Sequence, residues 1–321
     1  MMTLAIVGKI FHVIRLSKFV GVLGCFIFLF FLQNTNLASA DSISRIVVIN
    51  SDAAVKHYAL AQTAFTERLS DIKANIILAD QTADAVKDKI LRINPRFIYA
   101  IGSKAYMLAQ EIAEDRTIVF SSVLNWQRLP VNKNVYGVSN ELPSGMQLMT
   151  YRYLFPAMKK IGVLYSERFN KEWLDDALIN ANDVGIEIVA VPITETSELT
   201  PALQKLLPQI DAFWLISDPV VLADRESVLT IFNLGARHKK PVIAYSDIFA
   251  NLGATLSLSA DIATMGMQAA SMVNDLQQEK QISQRVVDPA GSHIILNMRK
   301  VKEYGLQLNY EALGSVNQII E

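Results

Sequence analysis

Residues 97–122, FIYAIGSKAYMLAQEIAEDRTIVFSS, decide the fold. Two continuous apolar runs, FIYAI and TIVF, flank a segment in which Ala105, Leu108, Ala109 and Ile112 fall on one face of a helix. An uninterrupted apolar strand, unlike an alternating one, is buried on both faces, so this strand–helix–strand unit predicts a parallel α/β sheet. Gly102 and Ser103 stand where the first strand turns into the helix. The first N–H groups of a helix lack partners within it, so that turn is a natural seat for an anion or polar group, and phosphate, carboxylate or no ligand all stay open.

The same grammar extends in both directions. RIVVIN (45–50) and NIILAD (75–80) precede the quoted stretch, and Tyr58, Ala61, Phe65 and Leu69 mark a helix between them. A second set follows LFPAMKK, with IGVLYS (161–166), IEIVAVPI (186–193), AFWLIS (212–217) and PVIAYS (241–246). The order of elements repeats although the sequence does not, which predicts two similar doubly wound α/β lobes with parallel sheets. VYGVSNELPSGMQLMTYRYLFPAM joins them without a Gly/Ser-rich linker, so the expected joint is a structured hinge of several crossings. After ATLSLSAD, a helix carrying Met265, Ala269, Met272, Val273 and Leu276 on one side leads to HIILNMR; its methionines read as core filler. The expected N-terminal lobe is 41–157 plus about 257–284, and the C-terminal lobe 158–256 plus about 285–321.

The first 40 residues read as a signal peptide. Lys9, Arg15 and Lys18 precede the apolar run FVGVLGCFIFLFFL, which is too short to span a bilayer comfortably, and Ala38-Ser39-Ala40 is a small-x-small cleavage pattern. Export to the periplasm with cleavage after Ala40 follows; an uncleaved anchor is the other reading. Cys25, the single cysteine, lies in mid-run, whereas a lipid-bearing cysteine belongs at the end of one. Without it the mature chain has no disulfide, thiol nucleophile or thiolate metal site. The remaining length of about 280 residues suffices for a core that holds the fold unaided. With 30 basic and 31 acidic residues, the chain has no electrostatic reason to bind nucleic acid.

Ligands of doubly wound sheets sit beyond the carboxyl ends of the strands. The residues there are small and polar: Ser51 and Asp52, Gly102 and Ser103, Ser121 and Ser122 with Asn125 beyond, then Ser166, Ser217 and Asp218, and Tyr245 with Asp247. Two such rims facing each other suit a small polar molecule with an aromatic or apolar part, and Trp126, Trp173 or Trp214 could supply a stacking surface. Serine and aspartate after a strand also cap the next helix, so each of these residues has a purely structural reading as well. His57, His238 and His293 are dispersed, with no metal-ligand spacing. The chain contains neither a G-x-S-x-G elbow nor a phosphate-binding glycine loop, and no acid, base and nucleophile set can be assembled, so we expect no enzyme and no cofactor.

FIYAIGSKAYMLAQ followed by TIVFSSV, VYGVSN before KKIGVLYSE, and DAFWLISDPVV followed by KKPVIAYSD together resemble the substrate-binding proteins of ABC importers with a type I periplasmic-binding fold, in the group that includes aromatic amino-acid receptors. The closing ATLSLSADIATMGMQAASMV and ILNMRKVKEYGL are similar too, so the resemblance spans nearly the whole mature chain. It implies ligand contacts from Gly102, Ser103, Ser121, Ser122, Ser217, Asp218 and the stretch from Tyr245 to Asp247. A helix N-terminus and hydroxyls would take a carboxylate, and Asp218 would pair with an amino group. Two departures stand out. Leu124-Asn125-Trp126 replaces a Thr-Asp-Pro-like turn, and Lys104 replaces a neutral residue, which favours a more anionic ligand if the lysine faces the pocket and means nothing if it points to solvent. The resemblance implies a monomeric exported receptor that closes over a small, amino-acid-like ligand and delivers it to the membrane permease of an importer. A ligand-sensing input protein for a membrane sensor is the alternative.

Overall fold

The computed structural model describes residues 45–112 and 115–321. The expected signal peptide, its cleavage site and Cys25 lie outside the described residues.

Two sheets form the frame. The first combines β1 (Ile46–Asn50), β2 (Ile72–Ile77), β3 (Phe97–Ile101), β4 (Thr117–Ser121), β5 (Val135–Val138) and β11 (Val286–Val287) in the order β11-β5-β4-β3-β1-β2, and every pairing is parallel. The second combines β6 (Lys160–Tyr165), β7 (Glu187–Pro192), β8 (Ala212–Leu215), β9 (Val242–Ala244), β10 (Leu256–Ala260), β12 (Ser292–Asn297) and β13 (Gln318–Ile320) in the order β13-β12-β10-β9-β8-β6-β7. Within it only β12 runs antiparallel to its neighbour β10. In each sheet the second strand lies outside the first and the third on its other side, the doubly wound arrangement with a switch point beside the first strand. The two-lobed α/β fold expected from the sequence is therefore the fold of the protein.

Every residue of β1, β3 and β8 is buried, which is why those runs carry no polar alternation. Helices supply the cover. In the first lobe α1 (Lys56–Thr66) and α8 (Ile262–Gln277) lie side by side, Phe65 stacks on Tyr99 with ring centroids 3.9 Å apart, and Met265 and Ala269 are fully buried, as core-filling residues should be. Gly266 makes the helix pair possible, since a Cβ there would come within 2.4 Å of the Ala61 carbonyl oxygen. On the sheet's other face, α2 (Ala83–Ile93) and α3 (Ser103–Ile112) bury Val86, Ile90, Tyr106 and Ala109. In the second lobe α4 (Ser144–Leu154) and α5 (Glu167–Asp183) contribute Tyr151 and Leu174, while α6 (Leu199–Leu206) and α7 (Arg225–Arg237) cover the opposite face. A short α9 (Met298–Tyr304) follows β12.

The chain passes between sheets three times: after β5, after β10 and after β11. Since β10 pairs within the second sheet and β11 within the first, the last two passages fall a few residues beyond the sequence-based lobe limits near 257 and 284. A ladder is set by backbone pairing, and β11, two residues long, has no pattern that periodicity can detect. One apolar cluster runs without a break from Val48 and Tyr99 in the first lobe to Val163 and Trp214 in the second, whereas the outer faces keep separate cores.

Gly102 turns the chain at the first rim. Its φ of +83° is left-handed, and a Cβ there would lie 2.7 Å from Ser51 Oγ and 2.8 Å from Tyr58 Cζ. Gly102→Ala should lower stability by about 1–3 kcal/mol from backbone strain and displacement of Tyr58, read as a lower midpoint in chemical denaturation with an unchanged slope.

Candidate functional site

The carboxyl ends of both sheets face each other across a cleft, and two connected chambers open there. The larger, about 530 Å³, lies between the loop after β4 and the start of α5; the smaller, about 300 Å³, lies between the start of α1 and the loop after β9. Asn140, Tyr245, Ser259 and Ala260 line both, so the crossing after β5, the loop after β9 and the end of β10 meet where the chambers join.

The larger chamber has an aromatic side made by Trp173, Trp214, Tyr245 and Phe169. Trp173 meets Trp214 edge-on at 4.9 Å, and Trp214, wholly buried at the end of its strand, donates from Nε1 to Gln147 Oε1 at 3.3 Å. Trp214 is thus a core residue that also forms the chamber floor, while Trp173, half-buried, offers a face. Charge comes from Arg128, Glu141, Glu167, Arg168, Lys171, Glu172 and Asp176, so both signs line the chamber. Glu141 lies in the first crossing and accepts from the Asn125 amide at 3.2 Å and from Gln127 Nε2 at 2.9 Å. Arg128 spans the cleft, donating to the Phe169 carbonyl at 3.0 Å and to Asn170 Oδ1 at 3.2 Å, with its guanidinium over the Phe169 ring. Burial lowers its pKa, against the opposing influence of Asp218 and Glu141. None of Glu141, Arg128 and Phe169 has a sequence signal, because none follows an apolar run.

The residues expected from the sequence divide into two groups. Asn125, Ser217 and Tyr245 line the larger chamber; Asn125, left-handed at φ 51°, donates from Nδ2 to Ser217 Oγ at 3.5 Å across the cleft. Burial raises the pKa of Tyr245, partly offset by its hydrogen bond to Ser217. Ser122, Tyr245 and Asp247 line the smaller chamber.

The other group is occupied within the protein. Ser51 Oγ donates to the Ile101 carbonyl at 2.8 Å and accepts from the Ala105 amide at 3.0 Å, so it caps α3 from below. Ser121 pairs with the Tyr99 hydroxyl at 2.6 Å, and Asp52 accepts from the Ala54 amide within its own turn. Gly102 sits beneath this network with its amide on the Ser121 carbonyl. Ser103 and the exposed Lys104 line a shallow outer groove with Met107 and Glu111, apart from both chambers, so Lys104 adds nothing to the cleft's charge. Trp126 donates to Ser139 Oγ and leans on Phe120, outside both chambers.

Asp218 is the extreme case. It is 1% exposed, and its carboxylate accepts five hydrogen bonds: Oδ2 from the Ser166 amide, Ser166 Oγ and Asn170 Nδ2 at 2.6–2.9 Å, and Oδ1 from the amides of Val220 and Val221. Ser166 is thereby engaged too. This knot fixes the start of α5, where Asn170 departs from helical geometry at φ −131°. Asp218→Ala leaves five donors unpaired and should lower stability by about 3–5 kcal/mol without any ligand present, checked by thermal unfolding of the unliganded protein.

His57 and His293, remote in sequence, both line the smaller chamber. His57 Nε2 lies 3.0 Å from Asp247 Oδ2, joining the first lobe to the second. Hydrogen bonding to Asp247 raises the His57 pKa despite burial, and the same bond lowers that of Asp247. The raised imidazole stabilises the contact fully below its ordinary value of 6.5 and ceases to do so as pH climbs through the raised value. The depressed carboxylate adds stability above its ordinary value of 3.8 and loses it only as pH falls through the lower, folded value. Between about pH 6 and about pH 8.5 the protein should therefore lose stability, and His57→Ala should flatten that decline, as calorimetry at the two pH values would show.

Residues 45–320 match the family described as ABC transporter substrate binding protein, and the chain belongs to that family, which consists of binding proteins and not of enzymes. A tyrosine-binding protein of Clostridioides difficile (strain R20291) is 25% identical over 236 residues, covering 70% of this chain and 68% of that protein. Among solved structures, a ligand-free, open substrate-binding protein with adhesive properties from Clostridium difficile superposes with a TM-score of 0.69 at 19% identity, covering 86% of this chain and 99% of that one. A Streptococcus pneumonia domain in complex with L-Trp gives 0.60 at 17% identity, with the same coverages. These structures share the fold of this chain.

Proposed function

We propose that the protein is an exported receptor that closes over an aromatic amino-acid-like ligand and presents it to the permease of an ABC importer. The observation that carries this reading is the larger chamber, where an aromatic side formed by Trp173 and Tyr245 stands next to Glu141 at the crossing. A planar ring stacks on the former, and an ammonium group is drawn to the latter. The tyrosine-binding relative and the L-Trp complex of a protein with the same fold support that ligand class. Membership of a substrate-binding family supports work outside the cytoplasm, in keeping with the signal-like first 40 residues.

Closure follows from the lining. Both lobes contribute to each chamber, so a ligand touching both makes its full set of contacts only when they are together. Arg128 and Asn125 already reach across, so closure strengthens contacts that are present. At about 100 times its dissociation constant, L-tyrosine or L-tryptophan should stabilise the protein by about 2.7 kcal/mol in thermal unfolding, and sugars should not. Trp173→Ala should weaken that response. A stable sample indifferent to both amino acids would remove the ligand class from this reading.

A further inference from the structure

The contacts that Arg128 makes across the cleft trace back to the buried Asp218. Asp218 Oδ2 takes the Asn170 side-chain amide at 2.6 Å, and Asn170 breaks the start of α5 with φ −131°. The φ of Asn170 sets how the Phe169–Asn170 peptide is turned against the rest of the helix, so the break swings the Phe169 carbonyl off the axis along which helical carbonyls meet their own amides. That oxygen accepts from Arg128 Nη2 at 3.0 Å, and Oδ1 of the same Asn170 accepts from Nη2 at 3.2 Å. Two hydrogens of one nitrogen thus reach two acceptors that Asp218 holds in place.

The Phe169 ring adds a third contact. The Arg128 guanidinium carbon lies 4.7 Å from its centroid and that of Arg168 lies 5.0 Å from it, so the ring serves a cation from each lobe. Arg128 ends the short turn Trp126–Arg128 after β4, in the first lobe, whereas Phe169, Asn170 and Asp218 follow strands of the second. The charges of Asp218 and Glu141 both act on Arg128 in favour of its cationic form. Asn125 on Ser217 and His57 on Asp247 join the lobes through one hydrogen bond each, while Arg128 combines two acceptors with a ring face. Its side chain is also exposed, so water can take over its hydrogen bonds when the lobes part.

We propose that Arg128 is the latch of the cleft: seated on the Phe169 carbonyl, Asn170 Oδ1 and the Phe169 ring, its guanidinium holds the empty protein closed over the larger chamber and sets ligand affinity through the free energy of closure. Asp218 then acts on the cleft at a distance, as the anchor that presents Asn170 and the Phe169 carbonyl. The control of affinity rests on the receptor reading, whereas closure of the empty protein depends on no ligand.

The test is small-angle X-ray scattering of the unliganded wild-type, Arg128→Ala and Arg128→Lys proteins, followed by calorimetric titration of each with L-tryptophan. The wild-type curve should match the closed form, and Arg128→Ala should show a larger radius of gyration at unchanged circular dichroism. Arg128→Lys keeps the charge but has neither the planar face nor the reach of arginine, so it should be expanded as well. Both variants should bind L-tryptophan about tenfold more weakly, because less of the protein is in the competent, closed state. A wild-type protein as expanded as Arg128→Ala, or an Arg128→Ala protein as compact as wild type, would overturn the latch. A compact Arg128→Lys beside an expanded Arg128→Ala would overturn it too, since charge alone would then hold the lobes. Expanded variants that bind L-tryptophan as tightly as wild type would overturn its control of affinity. Expanded variants together with a wild-type protein that binds no L-tryptophan would support the latch and count against the ligand class instead.

Discussion

Each sheet is covered by helices on both faces, and this burial governs where polar chemistry can occur. A strand such as Ile46–Asn50, with no exposed residue, has nowhere to carry a polar side chain except its end. The polar residues of both lobes are accordingly gathered at the carboxyl rims, and because the two lobes share a strand order, their rims face each other across the crossings. The cleft is a consequence of that packing. The chain leaves β3 and β4 through left-handed turns at Gly102, Ser122 and Asn125, and Asn125 reaches Ser217 of the opposite lobe.

Much of the rim polarity serves the frame. Tyr99 and Ser121 satisfy each other, Ser51 joins the Ile101 carbonyl to the start of α3, and Asp218 gathers the start of α5 and the loop after β8 into one buried knot. A buried carboxylate with five donors is an anchor, and its conversion to a ligand contact would require those bonds to break. Of the residues that line the chambers, Ser122 Oγ is buried without a partner and Trp173 offers a ring face, while Glu141 holds Asn125 and Gln127 and Tyr245 holds Ser217.

The apolar core passes continuously beneath the crossings, yet the outer faces of the lobes are packed separately. On the cleft side the lobes touch through polar contacts: Arg128 on the Phe169 carbonyl, Asn125 on Ser217, His57 on Asp247. Polar contacts exchange with water at small net cost, whereas separation of the shared core would expose apolar surface. The imidazole among them ties that exchange to pH.

The sequence by itself determined the lobes and their strands, since uninterrupted apolar runs such as FIYAI and AFWLI report burial on both faces directly. It also pointed to polar residues at the strand ends, of which Ser122, Asn125, Ser217, Tyr245 and Asp247 line the two chambers. Only the tertiary structure decided which polar end-residues are engaged in the frame: Ser51 and Asp218 have the same local context as Ser122, and their partners come from segments about 50 residues away. Only it brought His57 to Asp247, 190 positions apart, and placed Arg128, Glu141 and Phe169 in the larger chamber from loops and a helix start that no periodicity marks. Local pattern records whether a residue is buried, because burial repeats along a strand or helix. Partnership between side chains depends on how separate elements dock, and leaves no period in the chain to read.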